Sequence, residues 1–304
     1  MSRCLSASAL RELEGPLERL YKTFNHIESA ADPVHFVRRY TEPADQEVVA
    51  FCAASLAFGR VASVLNSIEA LLTVFGPSPA VFIRNFDLAR DGDVLRRIGH
   101  RWIRGVDVIA LIWITQEMLK DAGSIEQYFL DSKDISAPDV GPALNHFSDR
   151  ALAIDLKPVY GNSTRRRRVE YFFPRPSGGS ACKRLNLFLR WMVRRDSVDL
   201  GLWSQLPASK LIMPLDTHVI RVGRCLGLTR YRTPGWKMAC EITESLRGLD
   251  PEDPVRFDFS LCHLGMMDSC GFNRRHGDDR CPLRGVCRPD EGRPRGSAGS
   301  FVQR

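Results

Sequence analysis

The chain of 304 residues lacks any apolar run approaching the roughly 20 residues that a membrane-spanning helix requires. Its first residues, MSRCLSASALRELEGPLERLY, carry acidic side chains where a secretory leader would be apolar. These absences predict a cytoplasmic protein with no membrane segment. Alternating apolar and polar stretches that would pair as strands are also missing, and no segment repeats at a fixed period, which argues against sheet architectures and solenoids. Nine cysteines is an odd number, and Cys52, Cys182, Cys225 and Cys240 sit in apolar, helical-looking surroundings, so reduced buried thiols are expected and a disulfide framework is not. A further scarcity is local: between Arg165 and Arg195 the only acid is Glu170.

Against that single acid stand ten basic residues, and the whole chain carries a net charge of +7 with a pI near 9.0. A cluster of this sign attracts a polyanion, DNA or RNA, because each phosphate neutralised releases counterions. Basic runs are also common as solvated surface or loop. The interleaved Tyr171, Phe172, Phe173, Phe188 and Trp191 favour an ordered binding face.

The periodicity is helical almost throughout. DQEVVAFCAASLAFGR begins with Asp45 in an N-cap position and stops at Gly59, and VASVLNSIEALLTVFG stops at Gly76 before Pro77. Helices are predicted over DGDVLRRIGHRW, VDVIALIWITQEMLKDAG, SIEQYFLDS and PALNHFSDRALAI, and then over 182–195, 199–204, 216–227, 234–247 and 254–266. Residues 156–182 are irregular, punctuated by Pro158, Pro174, Pro176, Gly178 and Gly179. The tail from 289 to 304 has no apolar periodicity and reads as disordered.

Two positions carry the chemistry. In PRPSGGSACKRLNLFLRW a Pro/Gly-rich turn enters a helix through Ser180, and the first-turn amides with the positive end of the helix dipole form a seat for phosphate. Gly178, Gly179, Ser180 and Arg184 are therefore candidate backbone contacts to DNA. Helical spacing puts Lys183, Leu187 and Arg190 on one face, which makes Arg190 a further candidate. The amine of Lys183 suits either a phosphate contact or nucleophilic attack on a sugar carbon. In MPLDTHVIRVGR an apolar run breaks at Asp216 and Thr217, and a carboxylate there caps the helix that follows. Arg221 lies on that helix. His218, two residues past Asp216, reads as packed, and Gln46 reads as a first-turn polar residue or a contact near DNA. Trp191, Trp203 and Trp236 are core aromatics or stacking surfaces.

The pairing of a glycine-containing turn and helix lysine with a later LDTHV segment resembles the helix-hairpin-helix DNA glycosylase superfamily, in its endonuclease III and archaeal 8-oxoguanine glycosylase branches. The segments DQEVVAFCAASLAFGR, GSACKRLNLFLRWMVRRDSVDLGLW, PLDTHVIRV and DPVRFDFSLCHLGM, spread over residues 32–267, are similar to those of an uncharacterised bacterial family related to it. The resemblance implies an all-α, two-lobed fold: a helical barrel over 42–195, a second lobe over 196–288, and residues 1–41 packing on that second lobe. It implies base excision from damaged double-stranded DNA by a nucleoid-associated enzyme that needs no protein partner. In that scheme a base, such as the oxidised purine 8-oxoguanine, is flipped out, Lys183 attacks C1′ and Asp216 assists. The departures are a PSGGSACK turn in place of the compact hairpin of endonuclease III, and the insertion of VDLGLWSQLPASKLIM between lysine and aspartate.

Toward the end, CHLGMMDSCGFNRRHGDDRCPLRGVCRP resembles the iron–sulfur motif of the endonuclease III branch, with Cys270, Asp278, Cys281 and Cys287 at or near the ligand positions. An aspartate among the thiolates leaves zinc as the alternative to a structural iron–sulfur cluster, with His276 or Asp278 completing the set. A DNA glycosylase with AP-lyase activity is the leading expectation. A non-catalytic DNA- or RNA-binding protein of the same fold is the alternative, and a metal-cluster protein or RNA-modifying factor a third.

Overall fold

A computed structural model describes residues 5–26, 28, 32–132, 136–161, 165–266 and 281–287, the side chains of 165–167 excepted. Among these residues there is no strand, only the isolated bridges His100–Ile103 and Arg195–Leu200. The α-helices in chain order are α1 (Ala7–Phe24), α2 (Val34–Val37), α3 (Pro43–Leu56), α4 (Val61–Phe75), α5 (Pro79–Arg84), α6 (Leu88–Leu95), α7 (Gly105–Ala122), α8 (Ile125–Leu130), α9 (Gly141–Ala153), α10 (Lys157–Tyr160), α11 (Lys183–Val193), α12 (Thr217–Cys225), α13 (Trp236–Arg247) and α14 (Asp258–Met266). Short 3-10 helices cover Arg165–Tyr171, Pro176–Gly178 and Ala208–Lys210. The described part of the chain is thus all-α, as its periodicity predicts, and no described helix is long and apolar enough to cross a membrane.

Helix α3 is the hub. It packs against α2, α4, α5 and α11, and nearly every residue from Asp45 onward is buried. A helix enclosed on all sides has no solvent face to carry polar residues, so its two buried carboxylates must bond inside the fold. They do so by capping other helices. Asp45 accepts from the amide of Ala80 at 2.7 Å, in the first turn of α5. Glu47 accepts from Ile125 and Glu126 at 3.0 and 2.8 Å, in the first turn of α8, and from the indole of Trp203 at 2.9 Å. Asp45 is therefore not the N-cap of its own helix: α3 starts at Pro43, with Glu42 in the cap position. Gln46 reaches back from the first turn to the carbonyl of Tyr40 at 2.7 Å.

Two further expectations are corrected. The helix predicted through Trp102 ends at Leu95, because His100 turns its backbone onto Ile103. No helix forms at 199–204: the amides of Leu200 and Trp203 bond instead to the carbonyls of Trp191 and Met192, satisfying the last turn of α11. The remaining helices fall within a few residues of their predicted bounds, and the 289–304 tail lies outside the described residues. Cys52, Cys182 and Cys240 form no disulfide, and burial pushes each thiol up to about 12.

After α11 the chain builds a second group of helices in which α12 and α1 both pack against α14. The approach of α12 to α14 depends on Gly265, where a Cβ would stand 2.5 Å from Cβ of His218. His218 is accordingly a packed residue.

Replacing Glu47 with alanine leaves two buried donors and one part-buried donor without their acceptor, and a loss of about 3 kcal/mol is expected at about 1–3 kcal/mol per buried unsatisfied group. Urea unfolding measures it, and a loss well under 1 kcal/mol would show that water replaces the carboxylate.

Candidate active site

A cavity of ≈ 440 Å³ lies between α11 on one side and α12 and α14 on the other, bordered by the α3–α4 turn and by Asp32 and Pro33. Lys183, Leu187 and Arg190 line it together, so the face predicted from helical spacing is the face presented. Asp216 lines it from the opposite wall. The lysine and the aspartate, far apart in sequence, thus share one enclosure.

Local conformation sets both. Cys182 takes the left-handed region at φ 48°, turning the chain so that Lys183 is the first residue of α11. The ammonium of Lys183 forms no hydrogen bond or ion pair among the described residues. Asp216 is the N-cap of α12, and its Oδ1 accepts from the amide of Val219 at 2.7 Å. Its Oδ2 accepts from the thiol of Cys262 on α14 at 2.9 Å. Burial and the neighbouring carboxylates Asp216 and Asp258 hold that thiol well above its ordinary range, so Cys262 stays protonated and acts as a donor.

At the deep end Arg190 is 2% exposed and paired with Asp199 at 3.1 Å and with Asp258. Burial opposes its charge, but the two carboxylates more than offset this, and the guanidinium is raised above its ordinary value. Burial pushes Asp258 up to about 6, against the pull of Arg190. His263 is held below its ordinary value by burial and is neutral; its Nδ1 donates to the carbonyl of Phe259 at 2.7 Å. The charged lining is therefore Lys183 and Arg190 against Asp32, Asp216 and Asp258, which makes the cavity acid-rich despite the basic character of the chain.

Other candidates are placed differently. Arg184 and Arg190, expected to contact DNA, are 7% and 2% exposed, and burial withholds both guanidiniums from any external phosphate. This corrects the expectation for these two. Gly178 and Gly179 are exposed, with Gly179 in the left-handed region at φ 81°, but the carbonyl of Gly179 accepts from the amide of Trp236 at 3.0 Å and so docks the turn on α13. Ser180 is part-buried and its Oγ accepts from the amide of Cys182 at 3.2 Å. Arg221 is exposed on α12. Trp191 and Trp203 are core residues. Cys270, His276 and Asp278 lie outside the described residues, whereas Cys281 and Cys287 are part-buried. Among the described residues no group of three or more His, Cys, Asp or Glu side chains is placed to hold a metal.

Asp258, Cys262 and His263 were not singled out from the sequence. The available signal was the i, i+4 spacing of Asp258 and Cys262 in DFSLCHLGM, which puts them on one face of α14.

The raised Asp258 gives a pH dependence of definite sign. The folded state binds its proton more tightly than the unfolded chain, so the stability from this group is complete below the ordinary carboxyl range and is lost as pH rises through about 6. Asp258→Asn is expected to flatten the change in urea midpoint between about pH 4 and 7, whatever its baseline. An unchanged slope assigns that titration to another group.

No curated protein and no solved structure matches the chain. A family model does match, over residues 32–267, a span that contains every residue lining the cavity, from Asp32 to Met266, and ends before the C-terminal cysteines. The chain belongs to the family described as protein of unknown function (DUF2400).

Proposed function

We propose that the protein is a DNA base-excision glycosylase with AP-lyase activity. The observation that carries this reading is the meeting of a lysine without an ion-pair partner among the described residues and a capping aspartate, from opposite walls, in a cavity of ≈ 440 Å³. A cavity of that size suits a small flat ligand, and its mouth is apolar where Val61 and Met266 are 38% and 37% exposed.

In this reading a damaged nucleotide is everted from the duplex into the cavity. After Lys183 gives one proton to water, its amine bonds to C1′ as the bond from C1′ to the base breaks, and the base leaves with the electron pair and takes up a proton from water. Asp216 accepts a proton from the attacking nitrogen and returns it to the ring oxygen as the sugar opens to the Schiff base. Elimination of the 3′ phosphate follows, and water then releases Lys183. The capping bond fixes Asp216 Oδ1 and the Cys262 thiol fixes Oδ2, so the carboxylate is held in place while each oxygen keeps a second lone pair for the reaction.

That double engagement also favours a second reading, in which Asp216 is only a cap and the protein binds nucleic acid without cutting it. The two readings separate by experiment. Incubation with lesion-bearing and abasic duplexes under borohydride is expected to trap an enzyme–DNA adduct that Lys183→Gln abolishes. Trapping that persists in the variant removes Lys183 from the nucleophile role, and no trapping by the native protein on any substrate leaves the scaffold reading. Asp216→Asn is expected to slow single-turnover cleavage by about 10²- to 10⁴-fold, with binding changed only a few-fold. Equal losses in stability and in binding would mark a cap alone.

A further inference from the structure

Between α6 and α7 the chain makes a two-residue turn at Arg101 and Trp102, around which His100 and Ile103 exchange both backbone hydrogen bonds, at 3.0 and 2.9 Å. Arg101 has φ 54°, in the region that a tight hairpin usually gives to glycine. Strain of this kind persists where the surroundings enforce it, and it clusters where a side chain must be presented. What the turn presents is Trp102, 45% exposed and the only exposed tryptophan of the five.

Trp102 belongs to a platform of three rings. Its centroid lies 4.9 Å from that of Phe58 and 5.3 Å from that of Tyr171, and these two are 4.9 Å apart. The guanidinium of Arg101 lies 4.9 Å from the Trp102 ring, and Arg168 donates to the carbonyl of Trp102 at 3.2 Å. Behind the platform sits Arg184, 3.4 Å from the centroid of Tyr171 and 5.5 Å from that of Phe58. Its Nη2 donates to the carbonyl of Tyr171, while its Nη1 is buried without a partner, and among the described residues no carboxylate pairs with it. Arg168 also lies 3.9 Å from the carboxylate of Asp107, so the platform combines aromatic faces with two cations, Arg184 behind it and Arg101 at the surface, that no carboxylate pairs with among the described residues. Phe58 and Gly59 also line the cavity, so the surface continues to the cavity rim.

A ligand that satisfies such a surface has a flat π-system and an anionic group a few ångströms away, and a nucleotide has both. We infer that this platform holds an unpaired nucleotide of the nucleic-acid strand beside the cavity, its base stacked on Trp102 and its phosphate met by Arg101. The inference rests on reading the chain as a nucleic-acid binder and is independent of whether Lys183 performs chemistry.

The test is equilibrium binding, by fluorescence anisotropy, of a short labelled oligothymidylate and of a control strand of equal length carrying abasic sites throughout. Trp102→Ala is expected to weaken binding of the oligothymidylate by about 5- to 100-fold, as loss of base stacking does, with the control strand and the salt dependence unchanged. Trp102→Phe should recover part of the loss. Arg101→Gly, which suits the positive φ, is expected to weaken both strands and to lower the slope of log K against log salt by about 0.7, the value for one phosphate contact to a single strand. Circular dichroism confirms that each variant is folded. If Trp102→Ala binds the oligothymidylate as the native protein does, the inference fails while the nucleic-acid reading stands. If the native protein binds neither strand nor duplex DNA, both fall.

Discussion

The cavity depends on one buried guanidinium. Arg190 lies seven residues after Lys183 on α11, and its two carboxylate partners come from elsewhere: Asp199 from the segment after the helix, and Asp258 from the start of α14. Asp199 also pairs with Arg194, which holds Asp253 and Asp196 at 2.8 and 3.0 Å. Taking such charges out of water costs several kcal/mol each, so the network is poor evidence for stability in itself. What it does supply is position. With Arg190 clamped to α14, the face it shares with Leu187 and Lys183 is fixed in rotation, and the amine at the top of that face points into the cavity. The same clamp fixes α14, whose Cys262, one turn after Asp258, holds the second oxygen of Asp216.

Much of this was legible in the sequence, for reasons that differ by element. The spacing of Lys183, Leu187 and Arg190 predicts a shared face because helical geometry alone decides it, and Asp216 reads as a cap because an acid before Thr217 has an obvious local partner in the amide of Val219. Asp45 misleads for the complementary reason. Its position also fits a local cap, but the side chain is buried and bonds to a helix start 35 residues away in sequence, which periodicity cannot report. The segment at 199–204 fails as a helix because its amides satisfy the end of α11, a tertiary demand that overrides local propensity. Asp258 and Cys262 are hidden in the sequence because nearly all of α14 is buried, polar residues included, so no solvent face marks its orientation and only its packing against α12 shows which way they face.

The basic window from Arg165 to Arg195 shows the limit of counting charge along a chain. Arg190 and Arg194 belong to the interior network, and of the four acids that engage them only Asp196 and Asp199 are nearby in sequence, just past the window, while Asp253 and Asp258 come from another part of the fold. Arg175 pairs with Asp149 at 2.9 Å, again from outside the window. An excess of ten bases over one acid is therefore partly an excess in sequence only. The cavity, which a nucleic-acid reading of that window would make basic, carries more carboxylates than cations.

Arg184 is the exception that gives the remaining charge its meaning. It stands on the same helix as Arg190, is similarly buried, and yet meets aromatic faces and a backbone carbonyl where Arg190 meets two acids. Burial without a counter-ion lowers its proton affinity to about 10, still well above neutrality, so the positive charge remains. A position that served packing alone would be filled at less cost by leucine or methionine, as neighbouring positions of α11 are. The fold balances Arg190 with two acids and leaves Arg184 against the rings of Phe58 and Tyr171, beside the rim of the cavity, where the strained turn at Arg101 adds a second cation. The two kinds of arginine are thus separated along one helix, Arg190 closing the interior with two acids and Arg184 held as a buried charge among aromatic faces behind the cavity rim.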